Sequence, residues 1–432
     1  MEVSTPPTRP ADASRTRPIV AGVIGHIVEW YDYSVYAYFA ALIGTQFFPS
    51  KVPYASLLLS FAVFGVGFCT RPLGGIVFGH IGDRVGRRNA LVTVVILMSV
   101  MTFLVGVLPP YSSAGLVGAV LLVIFRLLQG FSAGGEWAGS GAFLVEYAPP
   151  GRRGIVGCLQ QGGIGIGLLL GSGFSTLLTV SMSSSALAAY GWRIAFLVAI
   201  VIGFAGLYLR LRVQETPHFT QVQEKGEVQR APLVSAWRGG PLTLFKVFGF
   251  TISGTVAYYI YLTYFPSYAS SVLHIPENEA HVANVIGILC YIASLLLTGW
   301  ASDRIGRRAI LLIHAWALVV VTYPLAYLLS ANPTFGMLLL VQIVGAVLMG
   351  CFSGACVASY AEMFPTSVRY SGISVPYNVS VAIFGGFAAF IATALVAVTH
   401  ISYSPAFYVI AAAIVSGIVY IVMRETYRDE LA

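Results

Sequence analysis

One stretch of this chain occurs twice. Residues 79–88 read Gly-His-Ile-Gly-Asp-Arg-Val-Gly-Arg-Arg, and residues 299–308 read Gly-Trp-Ala-Ser-Asp-Arg-Ile-Gly-Arg-Arg. The copies stand 220 residues apart in a chain of 432, and each falls between two long apolar segments. Repetition on that scale restricts the fold to two halves built on one plan. A second landmark agrees. Glu146, Pro149 and Arg153 recur as Glu362, Pro365 and Arg369 with the same internal spacing, 216 residues later.

The surrounding medium follows from the scarcity of charge. Only 9% of residues are charged and 57% are hydrophobic, against about 25% charged in an ordinary soluble domain. So few charges cannot cover a water-soluble body of this size, and an all-α integral membrane protein is expected. Twelve spans of about the ~20 residues a bilayer needs can be read: 19–47, 56–80, 89–109, 115–147, 154–180, 190–211, 243–272, 282–302, 308–329, 335–360, 371–398 and 404–424. All but four of the 24 Lys and Arg fall in tails and loops on one side of these spans. That bias marks the cytoplasmic face and places both termini there. The net charge of +7 therefore reports topology and not a nucleic-acid partner.

Composition divides the chain further. Residues 1–18 read as a disordered cytoplasmic N-terminus, and the apolar run after them is too long for a cleavable signal peptide. Residues 19–211 form a first six-helix bundle, 212–242 a cytoplasmic interdomain linker, 243–424 a second six-helix bundle, and 425–432 a short tail. Two such bundles, related by an axis along the membrane normal, make a transporter architecture. None of Lys51, Lys225 and Lys246 sits in a phosphate-cradling Gly-x-x-x-x-Gly-Lys stretch, so no ATP is expected and a gradient must supply the drive. Cys69, Cys158, Cys290, Cys351 and Cys356 lie in apolar stretches with neither metal-ligand nor disulfide spacing. No metal, no cofactor and no enzyme chemistry are expected, and the working unit is read as a monomer in the lipid bilayer.

Two groups of residues stand out. The doubled stretch places Asp83 beside Arg84, Arg87 and Arg88, and Asp303 beside Arg304, Arg307 and Arg308, with Gly79 and Gly86 allowing a turn and close approach. A carboxylate there can accept from guanidiniums and from the N-terminus of a neighbouring helix. The stretch thus reads as a cytoplasmic gate, the alternative being a topogenic turn. Deeper lie ionisable groups, each costing about 2.5–3.5 kcal/mol at a helix centre on the lower scales. Glu29 and Asp32 are three apart on one helix face, about 15 Å from the membrane edge. They suit a proton carrier, or a structural pair. Arg71 lies ~18 Å from the end of its span and can grip a solute carboxylate bidentately or pair with Glu29 or Asp32. Arg126 and Glu136 share the fourth span, for coupling, anion anchoring or a helix tie. Further candidates for solute contact are Tyr31, Gln160, Gln161, Tyr258, Tyr261, Tyr377 and Asn378. Most of Gly162, Gly163, Gly165 and Gly167 read as helix-packing residues, as His26 and His314 read as packing histidines.

These motifs resemble the major facilitator superfamily over essentially the whole chain. Gly79-x-x-x-Asp83-Arg84-x-Gly86-Arg87-Arg88 is similar to its signature loop, and Arg126-x-x-Gln129-Gly130 to a motif usual in proton-driven members. Val28-Glu29-Trp30-Tyr31-Asp32-Tyr33, Thr70-Arg71-Pro72-Leu73-Gly74-Gly75, Gly134-Gly135-Glu136-Trp137 and Gln214-Glu215-Thr216-Pro217 resemble the metabolite:proton symporter family more narrowly. That resemblance implies a bacterial inner-membrane symporter of protons with a small organic solute, and assigns Arg126 to proton coupling. Osmosensing members carry a long charged tail after the last span; this chain stops within a few residues, which counts against that reading. Two buried arginines facing protonatable acids favour an anion, so a small di- or tricarboxylate is the first expectation. A zwitterionic compatible solute such as proline or betaine is the second, and an exporter of the same fold the third.

Overall fold

A computed structural model describes residues 13–429 except 53, 86, 150, 212–236, 238–239 and 365–368. The side chains of 13–22, 79–91, 143, 147, 209, 210, 370 and 371 are likewise outside the description. The expected N-terminal tail and the linker, with its Gln214-Glu215-Thr216-Pro217, therefore lie largely outside the described residues.

The described residues form twelve long helical stretches and no strand. In the first half these are α1 (Ala13–Tyr38, continued by Ala40–Phe47), α2 (Ala55–Cys69 and Arg71–Val85), α3 (Arg87–Val107), α4 (Leu116–Ala133 and Trp137–Tyr147), α5 (Arg153–Ser181) and α6 (Trp192–Leu211). In the second they are α7 (Pro241–Tyr258, running into Phe265–Ser271), α8 (Glu277–Ile305), α9 (Arg307–Ala331), α10 (Phe335–Glu362), α11 (Arg369–Ser380, running into Ala388–Thr399) and α12 (Pro405–Val422). Among the described residues, nine are long and apolar enough to cross a membrane by length and composition. The other three, α1, α3 and α7, fill the remaining places in the expected order.

Apolar side chains gain little from leaving lipid for protein, so membrane helices associate through close packing. Glycines provide it here. A Cβ on Gly130 would fall on the Gly67 carbonyl, and one on Gly134 on the Arg71 carbonyl, so α2 and α4 touch backbone to backbone. Along α5, Gly163 and Gly167 receive Val23 and Ile27 of α1, and Gly165 meets Ile292 of α8. Gly162 faces open space and packs against nothing.

The helices are interrupted where the site lies. Tyr259–Tyr264 in α7 and Val381–Gly386 in α11 are π-helical. Pro266, without an amide hydrogen, follows the first of these turns. In α4 the run Gly134-Gly135-Glu136 forms a turn between two helical segments. Across the pseudo-twofold, α5 packs on α8 and α10, α2 on α11, and α1 on the π turn of α7.

Candidate functional site

Glu29, Asp32, Arg71 and Arg126 are paired in two separate groups. In one, Arg126 Nη1 donates to Asp32 Oδ2 at 2.6 Å. Gln129 Nε2 donates to Asp32 Oδ1 at 3.0 Å and to Thr102 Oγ1 at 2.9 Å. The Arg126 guanidinium lies 3.8 Å over the Tyr36 ring. This group is buried inside the first half, between α1, α3 and α4.

The second group stands at the junction of the halves. Arg71 Nη1 is 3.1 Å from Glu29 Oε1 and donates to the Tyr33 hydroxyl at 3.4 Å. Its Nε donates to Asn378 Oδ1 of α11 at 3.3 Å. Aromatic rings enclose the pair. Phe68 lies under the guanidinium at 5.2 Å; Tyr259 packs on Phe68, and Trp30 on Tyr33, Tyr258 and Tyr259. Trp137 and Tyr377 stack in parallel at 3.8 Å, joining α4 to α11. The hydroxyls of Tyr258 and Tyr259, the Trp30 indole nitrogen and both Glu29 oxygens are buried without a hydrogen bond. Unused polar groups cost free energy in an apolar interior. Groups of this kind beside a charged pair can make hydrogen bonds to a polar solute.

The fold brings Glu29, expected as a proton carrier, together with Arg71, Tyr258, Tyr377 and Asn378, expected as solute contacts, from four helices. It places the other expected residues elsewhere. Tyr31 turns away from the group, its hydroxyl donating to the Ala195 carbonyl of α6 at 2.7 Å. Tyr261 meets Thr322 and lines a separate cavity inside the second half with Tyr264, Tyr268 and Tyr403. Gln160 ties α5 to α4, donating to the Trp137 carbonyl and to Ser140, whose hydroxyl also meets His26. Gln161 faces the other half, toward Ser353 and Cys356 of α10. Glu136 is buried beside a small cavity that Glu29 also lines. Trp30, Tyr33, Tyr259 and Trp137 were not singled out by sequence. Their signal was adjacency alone: Trp30 and Tyr33 flank the acidic face of α1, and Tyr259 follows Tyr258.

The cytoplasmic end of the interface is held by charge. Asp303 accepts from the amides of Gly154 and Ile155 at 2.7 and 2.9 Å, capping α5 of the opposite half. Arg307 pairs with Asp303 at 2.8 Å and with Glu362 at 3.2 Å. The matched landmarks exchange partners: Arg153 pairs with Glu362 at 3.1 Å and Arg369 with Glu146 at 2.7 Å. Those four residues marked duplication in the sequence, and their role across the interface was legible only as a repeated spacing. Gly306, at φ +105°, separates α8 from α9. Arg304 does not join the cluster; it is exposed and lies over the Trp300 ring. Arg308 donates to the Ile421 carbonyl and stays within its own half. In the first copy, α2 ends at Val85 and α3 begins at Arg87. Gly86 and the side chains of Asp83, Arg84, Arg87 and Arg88 lie outside the described residues.

Two six-helix halves around a buried polar group, shut at one end by ion pairs, define a secondary transporter. Residues 19–243 match the family described as Sugar (and other) transporter, and residues 247–431 the Major Facilitator Superfamily. A proline/betaine transporter of Escherichia coli (strain K12) is 35% identical, over 97% of this chain and 85% of its own. A citrate-proton symporter of Klebsiella pneumoniae is 32% identical over 95% and 93%, and a shikimate transporter of Escherichia coli (strain K12) 32% over 98% and 98%. The xylose transporter XylE from E. coli, in a partially occluded inward-open conformation, superposes with a TM-score of 0.79 at 18% identity over 96% of this chain and 99% of its own; it shares the fold. This chain belongs to the major facilitator superfamily, in its metabolite:proton symporter family. It is a multi-pass inner-membrane transporter of a small organic solute with protons, and not an enzyme.

Proposed function

We propose that the solute is a small zwitterion bearing a carboxylate and an ammonium group, of the proline or betaine kind, imported by alternating access. The observation that carries this reading is the Arg71–Glu29 pair inside an aromatic enclosure. One fixed cation and one fixed anion, side by side, match a solute with one charge of each sign. The carboxylate goes to the guanidinium, and the ammonium to Glu29 and the faces of Trp30, Tyr258 and Tyr259. A di- or tricarboxylate would set several negative charges against one arginine, with Glu29 opposing them. The sequence-based preference for such an anion assumed acids free to protonate and leave a positive cavity. The fold instead sets Glu29 and Arg71 at the site and Asp32 with Arg126 in another group, so the two arginines do not make one positive cavity. The relatives named for proline and betaine weigh the same way, although those named for citrate and shikimate are nearly as similar.

Asp32 is the proton carrier in this reading. Protonating it removes the charge that holds Arg126, and Gln129 and Thr102 stand ready to take over the freed hydrogen bonds. Binding and coupling thus occupy different groups, one at the interface and one inside the first half. The test is accumulation of labelled glycine betaine and proline in membrane vesicles with an imposed pH gradient, at two external pH values. Accumulation that tracks the gradient, uncompeted by citrate or shikimate, is expected. Accumulation of citrate that ignores glycine betaine overturns the zwitterion, and accumulation against the expected direction overturns import.

A further inference from the structure

We infer that Asn378 is a positioning residue whose side-chain oxygen holds the place on Arg71 that the solute carboxylate takes, so that solute binding itself releases α11 from α2. The inference rests on the zwitterion reading above and adds to it how occupancy of the site is communicated to the cytoplasmic side.

The contacts of the Arg71 guanidinium leave room for a stronger partner. Its contacts are long, at 3.1, 3.3 and 3.4 Å, against about 2.7–2.9 Å for well-made charge-assisted bonds. The Glu29 contact is an ion pair without hydrogen-bond geometry. Of the three partners only Asn378 belongs to the second half, and it presents a neutral amide oxygen where an anionic one would bind more strongly. The same amide donates to the Gly134 carbonyl of α4 at 3.2 Å and to the Ser374 carbonyl of its own helix at 2.9 Å. One residue therefore docks α11 on both α2 and α4. Gly75 leaves room for it, since a Cβ there would crowd the Ser374 hydroxyl and the Asn378 amide. The Trp137–Tyr377 stack lies next to it in sequence, and α11 is weakened above by its π turn at Val381–Gly386.

A carboxylate arriving at Arg71 displaces the amide oxygen. The segment Arg369–Ser380 then loses its Arg71 bond to α2, while the Asn378–Gly134 bond, the stack and the Arg369–Glu146 pair remain as ties to α4. A solute with the ammonium but no carboxylate has no means of displacing the amide, so it occupies the aromatic enclosure without opening the cytoplasmic side.

The native thiol of Cys158 reports that opening, being buried in α5 against Gly299 of α8. In inside-out vesicles its labelling by a charged methanethiosulfonate is followed by peptide mass spectrometry, with glycine betaine, choline or neither present. Glycine betaine raises labelling of the unaltered protein several-fold and choline does not. Asn378→Ala labels without solute at the level the unaltered protein reaches with it. Asn378→Asp, nearly isosteric and so tolerated by the fold, sets a fixed carboxylate on Arg71. It binds glycine betaine at least tenfold more weakly and stays at the unliganded labelling level. Asn378→Ala that labels slowly without solute and responds normally to it overturns the inference, as does Asn378→Asp with unchanged affinity. Arg71→Gln separates the two layers: unchanged glycine betaine affinity in that variant sinks the zwitterion site itself, whereas lost affinity with unaltered behaviour of both Asn378 variants sinks only the coupling through Asn378.

Discussion

The two halves of this transporter match at one depth and differ at another. At the cytoplasmic end, Glu146 and Arg153 of the first half face Arg369 and Glu362 of the second, each pair crossing the interface. In the membrane interior the correspondence fails. The interval that separates Glu146 from Glu362 also separates Arg126 from Gln342 and Glu136 from Phe352. Where Arg126 binds Asp32, Gln342 donates to the Tyr261 carbonyl at 2.8 Å. A latch between halves needs both to carry the same groups, because each must supply what the other receives. A coupling site needs charge on one side only, because every buried ion is costly in lipid and a second set would bring cost without use.

The most severe way to break this asymmetry is to make the first half resemble the second. Asp32→Asn leaves Arg126 buried beside a neutral partner, which should cost about 3–5 kcal/mol of stability and abolish proton-driven accumulation while solute exchange persists. Pairing it with Arg126→Gln should restore most of that stability without restoring accumulation. Thermal unfolding in detergent and vesicle uptake read the two effects separately. If the double variant still accumulates solute against its gradient, the first half is not where protons are carried.

Within the latch, the symmetry of sequence conceals unequal loads. Glu362 receives Arg153, Arg307 and Thr426, whereas among the described residues Glu146 receives Arg369, and its side chain is 22% exposed. Glu362→Gln should therefore raise Cys158 labelling from the cytoplasmic side several-fold more than Glu146→Gln does. Equal labelling would mean that the two pairs share the load. Asp303→Asn comes next in size. It weakens the cap on α5, for about 1 kcal/mol by analogy with helix N-caps, and should open the same thiol to a smaller degree. The least effect belongs to the glycines of α5. Gly162→Ala should change stability by less than ~0.5 kcal/mol, because its Cβ enters open space. Gly167→Ala drives a Cβ toward the Ile27 carbonyl and should lower the unfolding temperature measurably.

Reading from residues alone went far on the fold and part of the way on the site. Long apolar runs, one-sided arginines and a doubled loop suffice for a two-half helical membrane protein, since these features are set by what lipid will accept. Buried ions could be singled out for the same reason: Glu29, Asp32, Arg71 and Arg126 are expensive wherever they point. Tyrosines carry no such penalty. Tyr31, Tyr258 and Tyr261 look alike in sequence, yet they meet the Ala195 carbonyl, the Trp30 ring and a second-half cavity respectively. Arg304 and Arg307 sit three apart in one motif, and the break at Gly306 between α8 and α9 sends one to the surface and the other into the interface.

The sequence by itself determined the medium, the topology, the duplication and which residues must be answered for inside the membrane. Each follows from composition and spacing along the chain, and solvation acts on those locally. The tertiary structure decided the pairing: Asp32 with Arg126 rather than Arg71, Arg71 with Glu29 and Asn378, and Asp303 on the far half's helix rather than its own. Partners are chosen by distance across helices tens to hundreds of residues apart. At that range, an acid's position in the chain says nothing of which arginine it will meet.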